Sequence, residues 1–183
     1  METGIQIERL QQLDSRLPAF VDMLIAVVHD GASIGFLTPL SRAAAEQYWR
    51  SVPGDDVIVL IATVDGQLAG TVQIHLCSKP NGMHRAEIAK LIVHPQFRRR
   101  GIARLLMECA EQYAKQAERI LLVLDTRDGD PSNTLYRSLG YIQAGQIPQF
   151  AISDTGILHA TNLYYKLLQQ PALWTMTTEN DEQ

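Results

Sequence analysis

Cysteine is scarce. The 183 residues hold two, Cys77 and Cys109, far apart, one in a strand-like run and one in a helix-like run. That excludes a disulfide framework and a cysteine-built metal centre. The five histidines show no spacing suited to a metal or a catalytic triad, so no metal is expected. No apolar run is long enough to span a bilayer. The opening Met1-Glu2-Thr3-Gly4-Ile5-Gln6 has neither the basic region nor the apolar core of a secretion signal, so a cytoplasmic protein with no membrane partner is expected. Basic excess is missing too: 16 Lys and Arg stand against 20 Asp and Glu, a net charge of −4, which argues against a general nucleic-acid binder. No internal repeat is visible.

What is present suits one globular domain, with 46% apolar and 20% charged residues. Residues 1–170 read as that domain, and the polar, acidic stretch 171–183 reads as a disordered tail. Alternation over Ile5, Ile7 and Leu10 predicts a strand. Leu17, Phe20, Val21, Leu24, Ile25 and Val28 recur at helical spacing, so a helix should run from Leu17 to Val28. The glycine-bearing loop from His29 to Phe36 follows, and a second helix is predicted from Pro39 to Trp49, before Pro53-Gly54. Two strands, Val57 to Val64 and Leu68 to Leu76, flank Asp65-Gly66 as a hairpin. Further strands are predicted over 86–93 and 120–124, and a helix over 102–117 with Leu105, Leu106, Cys109 and Tyr113 inward. A short helix should end at Leu139 before Gly140, and strands over 141–150 and 159–168 close the domain as a hairpin. That apolar hairpin leaves monomer and homodimer both open.

The chemistry concentrates in Val93-His94-Pro95-Gln96-Phe97-Arg98-Arg99-Arg100-Gly101-Ile102-Ala103-Arg104. A strand ends, a basic loop follows, and a helix starts at Gly101, Ile102 and Ala103. A helix start offers unpaired N–H donors and partial positive charge. Small Gly101 and Ala103 let a ligand approach, and Arg98, Arg99, Arg100 and Arg104 add charge, so a diphosphate would fit. A solvated arginine cluster on an ordinary helix is the competing reading.

Arg98-Arg99-Arg100-Gly101-Ile102-Ala103 resembles the R-x-x-G-x-A pyrophosphate loop of the GNAT family, the Gcn5-related N-acetyltransferases. The resemblance extends over residues 5–168. It implies an α/β (α+β) fold: a mixed central sheet flanked by helices, in the order β-α-α-β-β-β-α-β-α-β-β. It implies acetyl-CoA as co-substrate, bound by Arg98 to Arg104 together with the strand end Leu91, Ile92 and Val93, whose N–H groups would face the acetyl carbonyl. It also implies Asn133 on the pantetheine or phosphate arm and Tyr136 as proton donor to the departing thiolate. Gly31 to Phe36, Lys79 to Glu87, Leu124-Asp125-Thr126 and Leu158-His159-Ala160-Thr161 further resemble the tabtoxin-resistance branch of that family, which acetylates the free amine of a small amino-acid-like toxin.

An alkyl ammonium must lose a proton before it attacks a thioester, and Glu87 and Asp125 are the candidate carboxylates. They would stand where two neighbouring strands part, the opening that ligands favour in open sheets. The branch likeness gives both a catalytic role. Surface pairing of Glu87 with Arg85 or Lys90, and a turn-capping role for Asp125, are the plainer alternatives, and simple attraction of a cationic amine by the two carboxylates, Asp125 among them as a substrate-binding residue, is a third. His29, Ser33, Phe36 and His75 are expected to line the acceptor pocket. The expected partner is therefore a small-molecule amine. A peptide or protein amine, and a non-catalytic module binding CoA or RNA, are the competing functions.

Overall fold

The computed structural model describes residues 4–168; the expected tail lies outside them. The elements are β1 (Ile5–Arg9), α1 (Leu17–His29), α2 (Arg42–Ser51), β2 (Val57–Val64), β3 (Gln67–Leu76), β4 (Arg85–Val93), α3 (Ile102–Gln116), β5 (Leu121–Arg127), α4 (Ser132–Ser138), β6 (Ile142–Ile152) and β7 (Leu158–Leu167), with short 3-10 turns between some of them. This is the expected order. The strands form one seven-stranded sheet, β1-β2-β3-β4-β5-β7-β6. Every pairing is antiparallel except β4 with β5.

Strand alternation sends side chains to two separate cores. On one face α1 and α2 bury Phe20, Leu24 and Trp49 against Val59, Ile61 and Ile92. Trp49 Nε1 donates to the Phe20 carbonyl at 3.0 Å, so the one polar atom of that indole is satisfied. On the other face α3 and α4 bury Leu106, Met107 and Tyr136 against Leu60, Ile74, Ile88 and Leu122.

Two local expectations need correction. The second helix starts at Arg42 rather than Pro39, because Ser41 keeps extended backbone and its Oγ accepts from Ala44 N at 3.1 Å as an N-cap. In α3 the inward stripe is Ile102, Leu106, Met107, Ala110 and Ala114, and Leu105 is 40% exposed. At 100° per residue Leu105 falls beyond Ile102, on the side away from Leu106, Met107 and Ala110, which turns it out of the stripe.

Two irregularities position everything that follows. The parallel β4–β5 pair holds only from Arg85 to Glu87 against Leu121 to Val123, and beyond that the strands part. In β4 the register moves from Gln73↔Ala89 to Thr71↔Ile92, so β4 spends three steps where β3 spends two. One extra residue is therefore bulged, and Lys90, with φ of 50°, sits in it. The bulge flips the alternation: Glu87 faces the α1/α2 side, and so does Ile92, five residues on.

Candidate active site

The wedge between β4 and β5 opens into a groove of about 540 Å³. Leu91, Ile92 and Val93 form one wall, Arg127, Pro131, Ser132 and Leu135 the other, and the start of α3 closes the end. Gly101 caps α3 with φ of 80°, a left-handed conformation that favours glycine, and its surroundings are open. No side chain caps this helix. Its first intrahelical bond runs from Leu105 N to the Gly101 carbonyl at 3.1 Å, so the amides of Ile102, Ala103 and Arg104 precede the helical ladder. These donors, with Arg99 and Arg104 beside them, fit a diphosphate.

The arginines differ in their engagements. Arg98 is tied to the Asp30 carboxylate, and its Nε donates to the Val93 carbonyl at 3.4 Å. It therefore anchors the loop to the end of β4 and to α1 while still lining the groove. Arg100 lies over the Phe97 ring, 5.5 Å from its centroid, and is not part of the groove lining. Arg104 donates to Ser138 Oγ at 2.6 Å, fastening α3 to α4.

A second hollow of about 460 Å³ adjoins the first through Gly31, Ala32 and Arg127. Ser33 and Phe36 line it, as do Ala151 to Thr155 of the β6–β7 turn. Its roof is the α1–α2 loop, fixed by Thr38 N donating to Asp154 Oδ1 at 2.8 Å and by Arg127 Nη2 donating to the Gly31 carbonyl at 3.3 Å. Arg127 is itself held by Asp130, whose Oδ1 accepts from Nε at 3.0 Å and from Nη2 at 2.8 Å.

Beneath this loop the α1/α2 face of the sheet is polar. His75 pairs in register with Glu87, and Glu87 with Val123, so all three share a face with Asp125 two residues further along β5. Glu87 and Asp125 are both solvent-accessible and are not among the residues lining either hollow. Thr161 Oγ1 donates to Asp125 Oδ2 at 2.8 Å and orients that carboxylate. Gln73 bonds to His75 Nε2 at 3.0 Å and donates to the Tyr48 hydroxyl at 2.8 Å. Burial lowers the His75 pKa; Glu87 opposes and Lys90 adds to the shift, so the ring is held toward its neutral form. Burial also raises the pKa of Tyr48.

Tyr136 lies on α4 with its ring buried among Tyr141 and Tyr164. Burial first, then the Asp125 and Asp130 charges, push its pKa far up, so it stays a neutral phenol, and it is not among the residues lining either hollow. Asn133 departs from expectation. Its Nδ2 donates to the carbonyls of Arg127 and Asp130, both at 2.9 Å, while its Oδ1 accepts from Asn162 Nδ2 at 2.9 Å and the Tyr164 hydroxyl at 3.0 Å. The amide is saturated inside the protein, so Asn133 braces α4 and the β5 end rather than contacting an arm of a ligand. His29 also stands apart: it ends α1 exposed and lines neither hollow. Lys90, Gln73, Tyr48 and Arg127 lie beside these residues, and from sequence only Lys90 is expected there, as a surface partner of Glu87. For the bulge at Lys90 the only sequence signal is a broken alternation in Glu87-Ile88-Ala89-Lys90-Leu91-Ile92.

A strand wedge leading into a glycine-started helix, beside a polar sheet face, suits a transferase whose donor carries a diphosphate. The profile of the Acetyltransferase (GNAT) family matches residues 21–141, and the chain belongs to that family: it is a GNAT N-acetyltransferase using acetyl-CoA. Among curated proteins it is 28% identical over 130 residues to an N-acetyltransferase of the hisH-hisA intergenic region of Azospirillum brasilense, covering 69% of this chain and 77% of that one. Among solved structures it is similar to a ribosomal-protein-alanine N-acetyltransferase from Brucella melitensis, with TM-score 0.77 and 22% identity over 89% of this chain and 99% of that one. It is also similar to the yncA acetyltransferase from Salmonella typhimurium, solved with its cofactor acetyl-CoA, with TM-score 0.76 and 18% identity over 92% and 96% of the two chains. Among the described residues no helix is long and apolar enough to cross a membrane, and no group of three or more His, Cys, Asp or Glu is placed to hold a metal.

Proposed function

We propose that the chain acetylates the primary amine of a small, amino-acid-like molecule, in keeping with its likeness to the tabtoxin-resistance branch and with a detoxifying role. The observation that carries this reading is the polar floor: Glu87, His75 and Asp125 share one sheet face, and the α1–α2 loop on that side is pinned at both ends. A pinned loop suits a small acceptor better than an extended chain.

Acetyl-CoA, when bound, supplies the thioester acyl group. Ile102, Ala103 and Arg104 N–H groups, with Arg98, Arg99 and Arg104 side chains, hold its diphosphate. The N–H groups at Leu91 to Val93 face its acyl carbonyl, where donors stabilise developing negative charge. Glu87 and Asp125 draw in the cationic amine and take its proton directly or through water. The Tyr136 phenol returns a proton to the leaving sulfur. Ser33, Phe36 and His75 shape the acceptor side.

The test is a panel of free amino acids, simple alkylamines and short peptides offered with acetyl-CoA, read by thiol release and by mass spectrometry of the product. Acetylation of free amino acids or their close analogues is expected. Acetylation confined to peptides would overturn this reading.

A further inference from the structure

One charged group on the polar floor has no role in the chemistry above. Lys90 occupies the β4 bulge, half-buried, with φ of 50°. A Cβ placed on Gly35 would lie 3.4 Å from Lys90 Nζ, so the side chain rises from the sheet to the underside of the α1–α2 loop. Gly35 itself lines the second hollow. The ammonium is therefore held on the acceptor side of the sheet, away from the diphosphate end of the groove.

Its electrostatic setting is specific. Burial lowers the Lys90 pKa, and the charges of Asp125 and then Glu87 pull it back up. Yet among the described residues Lys90 takes part in none of the ion pairs. The two carboxylates are close enough to act on the ammonium without being in contact with it. This leaves one positive and two negative groups on one sheet face, the positive one against the loop and His75 in register with Glu87.

A simple alkylamine would use only the negative part of that pattern, and Lys90 would then repel its ammonium. A zwitterion uses both parts. Its ammonium meets Glu87 and Asp125, and a carboxylate one or a few bonds away meets Lys90. We propose that Lys90 is the carboxylate-binding subsite of the acceptor pocket, so that the enzyme selects amines that also carry a nearby carboxylate, as a free amino acid does. The bulge is the device that makes this possible, since regular alternation after Glu87 and Ala89 would turn the side chain at position 90 to the α3 face.

The inference rests on the acceptor reading above, and its test separates the two. Free L-amino acids and their carboxamides would be compared as acceptors with the wild type, Lys90→Met and Lys90→Arg, and the binding of each compound would be measured in the presence of CoA by calorimetry. A half-buried charge-assisted contact should favour the acid over its carboxamide by about tenfold or more in kcat/KM. K90M should erase that preference by raising KM for the acid, leaving the carboxamide unchanged or improved, and K90R should keep part of it. Equal losses on acid and carboxamide, or no acid preference in the wild type, would overturn the subsite. If amines are acetylated but carboxylates bring no advantage, the subsite falls and acetyl transfer stands. If amino acids bind in a Lys90-dependent way but no amine is acetylated, the subsite stands and the acceptor reading falls.

Discussion

Lys166 on β7 reaches across to Glu111 on α3 and donates to both carboxylate oxygens at 2.7 Å, while a third bond at 2.7 Å goes to the Leu139 carbonyl. One ammonium thus ties together the helix that opens the groove, the end of α4 and the sheet beneath them. Both partners are largely buried, so the pair is satisfied only while it is complete.

Lys166→Met should therefore cost about 2–4 kcal/mol, because it strands the Glu111 charge and the Leu139 carbonyl. The double variant with Glu111→Gln should recover part of the loss. Urea melts of the two variants and the wild type measure this; an unchanged midpoint for K166M would contradict it.

Gly70 is where β3 touches the base of the groove. A Cβ there would lie 2.7 Å from the Ile92 carbonyl oxygen and 3.2 Å from Leu106 Cδ1. Backbone cannot yield as a side chain can, so Gly70→Ala should destabilise by about 1–3 kcal/mol. It should also weaken acetyl-CoA binding, since Ile92 lines the groove. Thermal melts with and without acetyl-CoA read both effects.

Acid stability should depend on His75. Burial holds its folded pKa below the ordinary 6.5. The unfolded chain takes up this proton near that value and the folded protein only at lower pH. Stability is thus intact above pH 6.5 and falls as the pH drops through it. His75→Gln should flatten the fall in Tm as the pH drops below the ordinary histidine value of 6.5, measured at constant ionic strength. An identical slope would remove His75 from the acid response.

Tyr136→Phe should lower turnover by about tenfold or more while acetyl-CoA affinity stays within about twofold, because the phenol proton is needed only as the thiolate departs. Pre-steady-state thiol release and a binding titration separate the two. Unchanged turnover would leave Tyr136 a core aromatic.

The elements were legible because their burial is regular. Helical stride in α1, strict alternation and Asp-Gly in the β2–β3 hairpin, and glycine at the start of α3 each carry one meaning. The basic loop and glycine-started helix that edge the groove were legible for the same reason, being a local run from Arg98 to Arg104. What escaped is non-local or slips by a single residue. The bulge at Lys90 lies between apolar residues that suit either face, so the broken alternation there shows that the phase changes without showing which side chain turns. Asn133 reads as a polar helix residue until Asn162 and Tyr164, about thirty positions away, arrive to saturate it. Arg98 reads as free charge until Asp30, 68 residues earlier, is folded against it.

The central claim is acetyl transfer to a small amine at the floor formed by Glu87 and Asp125. It is tested most directly by following thiol release from acetyl-CoA with a free amino acid panel, for the wild type and for the Glu87→Gln, Asp125→Asn double variant, with mass spectrometry of the product. The expected result is amine-dependent release matched by N-acetylated amino acid in the wild type, and at least about a hundredfold slower release in the double variant, whose acetyl-CoA affinity is kept. Equal rates in the two proteins, or no amine-dependent release across the panel, would contradict it.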